Sequence, residues 1–201
     1  VGLGCRFPGG ADSPQAYWEM LINGLDGVID TPPERWNLGR FYSKDPALPG
    51  KMAVRKGGFL REPIDGFDPL FFGISPRDAE AMDPQQRILL ELVWEAMEDA
   101  CQDMERLSGS DTGVYIGGFM QDFTAIILNP LNRSALNASS AVGVNLAMLA
   151  NRISHAFNFT GPSIAMDTAC SSSLVSFHQA CQALWHGECS LVVTGGINLM
   201  I

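Results

Sequence analysis

Apolar residues recur at helical spacing in four stretches of the chain. Trp18, Leu21, Ile22 and Leu25 stand at i, i+3, i+4 and i+7 behind Ser13-Pro14, a pair suited to a helix N-cap and first helical position. Asp83-Pro84 opens "DPQQRILLELVWEAMEDA", whose apolar positions nearly encircle it and predict a helix buried on most sides. Val142, Leu146, Leu149, Ile153 and Ala156 mark a third helix, entered from the Asn-rich loop "NPLNRSALN". In the fourth, Leu174, Phe177, Cys181 and Leu184 continue a face that begins at Cys170, and Gly187 ends the helix. Ser75-Pro76, with Asp78 three residues after the serine, predicts a further helix start. Between these lie short runs fit for strands: "GVYIGG", "SIAM", "SLVVTGG" and, at the beginning, "VGLGC", read as the end of a strand. Residues 30 to 58 form a long Pro- and Gly-rich loop. No internal repeat or low-complexity segment stands out.

Composition places this alternation in a globular chain. With 201 residues, 46% of them hydrophobic and 17% charged, there is enough material for one domain with a sizeable core. The formal net charge of -9 speaks against nucleic acid as a partner, which calls for a basic face. No run approaches the roughly 18 apolar residues of a membrane span, and "VGLGCRFPGG" has no charged region of a secretory signal. The expectation is a cytoplasmic chain. Five cysteines, with no C-x-x-C and no zinc spacing to His155, His178 or His186, fit free thiols and no metal. The N-x-[ST] matches at Asn132, Asn137 and Asn158 are then chance matches.

Charge is unevenly spread. All 13 basic residues lie at or before Arg152, and across residues 153 to 201 the only formal charges are Asp167 and Glu188. Such a stretch is expected inside something: a core, a subunit interface or a substrate tunnel wall. Cys170 sits within it, where the strand "SIAM" turns into a helix. The first N–H groups of a helix lack internal partners, and the macrodipole adds partial positive charge there; both favour an anion. Those N–H groups also suit an oxyanion on an attacked carbonyl. Ala169, Ser171, Ser172 and Ser173 are small and let a bulky substrate approach. This is the logic of a nucleophile elbow with sulfur in place of oxygen. From position alone Cys170 is either that nucleophile or a small core residue, which is what most buried cysteines are. Cys181 and Cys189, mid-helix and at a strand start, read as core.

The stretch "DTACSSSL", Asp167 to Leu174, resembles the nucleophile motif of beta-ketoacyl synthases of the type I polyketide synthase kind. "VGLGCRFPGG", "FDPLFFGISPRDAEAMDPQQRILLELVWEAMEDA", "GVYIGG", "LANRISHAFNFTGPS" and "GGINLM" resemble the same family in the same order. The resemblance covers essentially the whole chain. It implies an α/β, thiolase-like layered α-β-α-β-α fold and a homodimer in the intact domain. It implies Cys170 as the catalytic nucleophile, with Ala169 and Ser171 lining the substrate beside it. The partner is an acyl carrier protein whose phosphopantetheine arm delivers acyl and malonyl-type thioesters, with no cofactor bound directly. The reaction is acyl transfer to Cys170 followed by decarboxylative Claisen condensation.

The chain also departs from the family's pattern. Two histidines that support decarboxylation belong to later motifs, H-G-T-G-T and G-H, and neither motif occurs in residues 1–201; His155, His178 and His186 read as structural. Residues 1–201 are therefore expected to be the N-terminal half of one ketosynthase domain, cut at both ends and inactive alone, with no second domain. The runner-up is a fatty-acid beta-ketoacyl synthase. A non-condensing scaffold is disfavoured because the cysteine is kept, and a thiol redox sensor because Cys181 lies three helical turns from Cys170. A cysteine hydrolase lacks an evident His base and orienting carboxylate. Carrier proteins are commonly acidic, so docking calls for a local basic patch, to which Arg133, Lys56 and Arg61 are candidates.

Overall fold

The computed structural model describes the backbone of residues 1–201 and every side chain but that of Ala135. The chain divides into two compact units, Gly4–Ile64 with Met200–Ile201, and Val1–Leu3 with Asp65–Leu199.

The smaller unit holds α1 (Pro14–Ile22), β1 (Ile29–Asp30), α2 (Leu38–Phe41) and β2 (Lys56–Gly57). Ser13 caps α1 as its sequence predicts, its hydroxyl accepting from Ala16 N at 3.2 Å. The helix stops at Ile22, before Leu25, and its apolar face is exposed: no residue of α1 is buried. The stretch read as a loop contains a two-residue antiparallel ribbon, Ile29 opposite Gly57 and Asp30 opposite Lys56. Arg55 clamps it through paired bonds to the Asp30 carboxylate, 3.1 and 2.7 Å, which hold that carboxyl below its ordinary range.

The larger unit contains α3 (Pro76–Glu80), α4 (Pro84–Asp99), α5 (Met104–Leu107), β3 (Gly113–Gly117), α6 (Asp122–Ile127), α7 (Ala138–Gly143), α8 (Met148–Phe157), β4 (Ser163–Met166), α9 (Ser172–Trp185) and β5 (Val192–Gly196). Short 3₁₀ turns precede α7 (Pro130–Ala135) and α9 (Ala169–Ser171). The three strands form a parallel sheet in the order β4-β3-β5. β3, in the middle, is buried at every residue, as a strand covered on both faces must be.

Its side chains alternate between two cores. Val114 and Ile116 join Leu89, Leu90, Val93 and Met97 of α4 and Leu149, Ala150 and Ile153 of α8. Tyr115 faces the other way, onto Ala180 and Ala183 of α9 and onto Cys189. The result is three layers, α4 and α8 on one face and α9 on the other. Burying one large aliphatic side chain of the first core contributes about 1.5–3 kcal/mol. α4 matches its encircling pattern, since no residue from Pro84 to Met97 is exposed. Its N-cap Asp83 accepts from Gln85 N at 2.9 Å, and burial pushes the Asp83 carboxyl above its ordinary value.

Two expectations fail for physical reasons. "VGLGC" is not a strand here; Leu3 N donates instead to the Asp99 carboxylate at 2.9 Å. The helix read across Val142 to Ala156 is two, α7 and α8, with residues 144–147 between them; Asn145 starts the second by accepting from Ala147 N. The face Leu174, Phe177, Cys181 and Leu184 is not the one that α9 turns to the sheet. Ser172, Ser176, Ala180 and Ala183 are buried there instead, and Leu174, Phe177, Leu184 and Trp185 stand 74, 57, 39 and 73% exposed. Among the described residues no helix is long and apolar enough to cross a membrane.

Candidate functional site

The turn from β4 into α9 is an elbow built over six residues. β4 ends at Met166, and Asp167 bends back so that its Oδ1 accepts from Ala169 N at 3.0 Å. Ala169 takes a left-handed backbone, φ 54°, one of three non-glycine residues with positive φ among those described. Such a conformation costs an L-residue about 1–2 kcal/mol, and strain of this kind collects where a structure holds a side chain for a purpose. Cys170 follows in the 3₁₀ turn, its side chain exposed, and α9 begins at Ser172.

Three hydroxyls tie the elbow. Ser172 Oγ accepts from Thr168 N at 2.9 Å and donates to Ala169 O at 2.6 Å. Ser171 Oγ turns back onto Thr168, 2.8 Å from its carbonyl and 2.9 Å from its hydroxyl. One turn on, Ser176 Oγ reaches Ser173 O at 2.8 Å and Gly195 O at 3.0 Å, pinning α9 to β5. Ser171 and Ser172, adjacent and alike in "CSSS", thus have separate jobs.

Glycine lets the helix sit this low. A Cβ on Gly117, the last residue of β3, would lie 2.4 Å from the Ser172 carbonyl carbon and 2.5 Å from Ser173 N. A Cβ on Gly196, the last of β5, would lie 2.4 Å from Ser173 Cβ. Both strands end in glycine because the first turn of α9 rests on them.

The Ala169 and Thr168 amides are engaged, whereas no protein acceptor among the described residues meets the Cys170 N–H. An exposed thiol therefore sits beside its own unpaired amide, between the exposed Ala169 and Ser171. Cys189 is buried, which pushes its thiol above the ordinary value; Cys181 is half-buried and Cys101 exposed at the end of α4. All five are free thiols. His155, His178 and His186 are exposed. Among the described residues no group of His, Cys, Asp and Glu is gathered so as to hold a metal ion. The strand–Cys–helix order was visible in the sequence. The left-handed Ala169 and the bonds of Ser172 were missed, their only signal being three serines after a cysteine and two strands ending in glycine.

This sequence matches the model of the beta-ketoacyl synthase N-terminal domain across residues 1–201. The chain belongs to the beta-ketoacyl synthase family. Among its relatives, this ketosynthase sequence is 47% identical over 201 residues to erythronolide synthase EryA2 of Saccharopolyspora erythraea, covering 6% of that protein. It is 44% identical to a phenolphthiocerol/phthiocerol polyketide synthase of Mycobacterium bovis, covering 11% of it, and 44% identical to the reducing polyketide synthase ppsB of Aspergillus oryzae, covering 8%. All three alignments take in 100% of the present chain. Of solved structures, the oxazolomycin ketosynthase domain OzmH KS7 of Streptomyces albus JA3453 superposes with a TM-score of 0.90 at 42% identity, over 99% of this chain and 34% of that one. The ketosynthase from module 6 of the Bacillus subtilis bacillaene synthase gives 0.82 at 36%, over 99% and 31%. The fold is thus the thiolase-like α/β fold of polyketide synthase ketosynthases, and the chain spans about a third of those solved chains.

Proposed function

We propose that residues 1–201 are the nucleophile-bearing part of a single ketosynthase domain in a cytoplasmic, multidomain polyketide synthase that works as a homodimer. The observation that carries this reading is the exposed Cys170 thiol on a strained strand-to-helix elbow, flanked by small residues and by its own unpaired amide. The Cys170 thiolate attacks the thioester carbonyl of an acyl group carried on the phosphopantetheine arm of an acyl carrier protein. The tetrahedral oxyanion is stabilised by the Cys170 N–H, a donor type worth on the order of 10²–10³ in rate. The oxyanion collapses, the C–S bond to the arm breaks so that the arm leaves as its thiolate, and the acyl group stays on Sγ. A malonyl-type unit on a carrier then loses CO₂, and the resulting carbanion attacks the Cys170 thioester. The β-ketoacyl product forms on the carrier and the Cys170 thiolate is released. Ala169 and Ser171 are the small walls past which the arm approaches. No cofactor is bound directly; the phosphopantetheine belongs to the carrier.

The polyketide class is preferred over fatty-acid synthesis because relatives at 42–44% identity are named as polyketide synthases. Cys170→Ala in the full-length protein tests the proposal. Intact mass after incubation with an acyl thioester is expected to show one acyl adduct in wild type and none in the variant. An adduct that survives the substitution removes Cys170 from the role.

A further inference from the structure

We propose that Ser172 is a positioning residue that aims the Cys170 N–H, and so sets the rate of acyl transfer without touching the thiol. The inference rests on the reading of Cys170 as acyl acceptor.

The geometry is local and specific. Ser172 is 4% exposed, so its hydroxyl has no solvent to turn to and both of its bonds are to protein. One accepts from Thr168 N, the other donates to Ala169 O. The Ala169 carbonyl and the Cys170 N–H belong to the same peptide unit. Among the described residues there is no cis peptide bond, so that unit is planar and trans, with C=O and N–H pointing in opposite directions. Ala169 O accepts from both the Ser172 hydroxyl and the Ser172 backbone N–H, and holding it there points the Cys170 N–H the opposite way, away from Ser172. Ala169 is left-handed, a conformation that alanine leaves readily, and the two bonds of Ser172 bracket that residue. Serine is the smallest side chain that both donates and accepts at once. Gly117 admits nothing larger than its hydrogen against Ser172, so the brace works only where β3 ends.

An aimed N–H matters to one reaction of this thiol and not to another. Acylation by a thioester passes through a tetrahedral oxyanion that the N–H stabilises. Alkylation by iodoacetamide displaces iodide at a saturated carbon and forms no such oxyanion.

The test uses the full-length protein that carries this chain, with propionyl N-acetylcysteamine thioester as acyl donor and iodoacetamide as alkylating agent. Both adducts on Cys170 are followed by tandem mass spectrometry. Ser172→Ala is expected to slow acylation of Cys170 about tenfold or more while its alkylation changes less than twofold. Equal acylation in wild type and variant overturns the inference, and so does a parallel fall of both rates, which reports a merely structural loss. Should Ser172→Ala fail to fold, Ser172→Cys keeps the volume, has only a weak S–H donor, and is expected to show the same split. Failure of the ketosynthase reading looks different: wild type then takes no acyl group on Cys170, or keeps its adduct in Cys170→Ala.

Discussion

α8 and α9 cover opposite faces of the same three strands and do it by opposite means. α8 buries Leu149, Ala150 and Ile153 and interlocks them with Val114, Ile116 and the aliphatic side of α4. α9 buries Ser172, Ser176, Ala180 and Ala183 and leaves Leu174, Phe177, Leu184 and Trp185 outside. Hydrophobicity alone would orient α9 the other way round. What decides is distance: its first turn sits directly on Gly117 and Gly196, and only small residues fit beneath it. One helix is held by side-chain volume, the other by close backbone approach and hydroxyl bonds such as Ser176 to Gly195 O. The helix that carries the thiol is the one packed for precision of placement.

The contrast predicts unequal costs. Ile153→Ala should lower the stability of the chain by about 2–5 kcal/mol, since it empties a filled core. Leu174→Ala on the outer face of α9 should cost under about 0.5 kcal/mol in residues 1–201. Urea unfolding of the two variants measures both. Repeating Leu174→Ala in the longer protein sharpens the comparison, because a cost of about 2 kcal/mol or more there shows that the outer face is covered. Equal costs for the two variants in residues 1–201 would break it.

Gly117→Ala comes next. The added methyl meets backbone atoms of Ser172 and Ser173, which cannot swing aside. A loss of roughly 1–3 kcal/mol is expected from overpacking, accompanied by loss of acyl loading as α9 is lifted off the sheet. A variant of normal stability that still loads acyl groups at the wild-type rate would mean the helix does not need its seat.

Much of this was legible in the chain because it is local. The caps at Ser13, Ser75 and Asp83, the encircled helix at 84–99 and the strand–Cys–helix order depend on residues a few places apart, and such signals survive without knowledge of the rest. The buried face of α9 was not legible, since Ser and Ala beneath it gain meaning only once Gly117 and Gly196 are known to lie against them. The left-handed Ala169 was hidden for the same reason. No residue type announces it; the bonds from Ser172 and Asp167 make it tolerable. The interruption between α7 and α8 escaped because apolar spacing continues across residues 144–147 while the backbone does not.

The smallest effect concerns Asp83, at the start of the volume-packed α4. Burial raises its carboxyl above the ordinary 3.8, so the folded state holds the proton more readily than the unfolded one. The stabilising contribution is therefore complete below 3.8 and is lost as pH rises through the raised folded value. Asp83→Asn keeps an N-cap acceptor and removes the titration. Thermal midpoints should show the variant gaining on wild type as pH rises from below 3.8 toward neutrality. A constant difference across that range would place the raised carboxyl elsewhere.

The order of the strands also fixes an order in time. β3 lies centrally, yet its two neighbours come later in the chain, β4 after residues 118–162 and β5 after the whole of α9. A ribosome delivers Cys170 before it delivers Gly196. For that interval the thiol exists on a chain whose helix has half of its seat, and the central strand has an unpaired edge. Pairings between distant segments form slowly, so the elbow closes only after β5 has been made and paired. Until then, the nascent protein carries an open strand edge of the kind that chaperones guard.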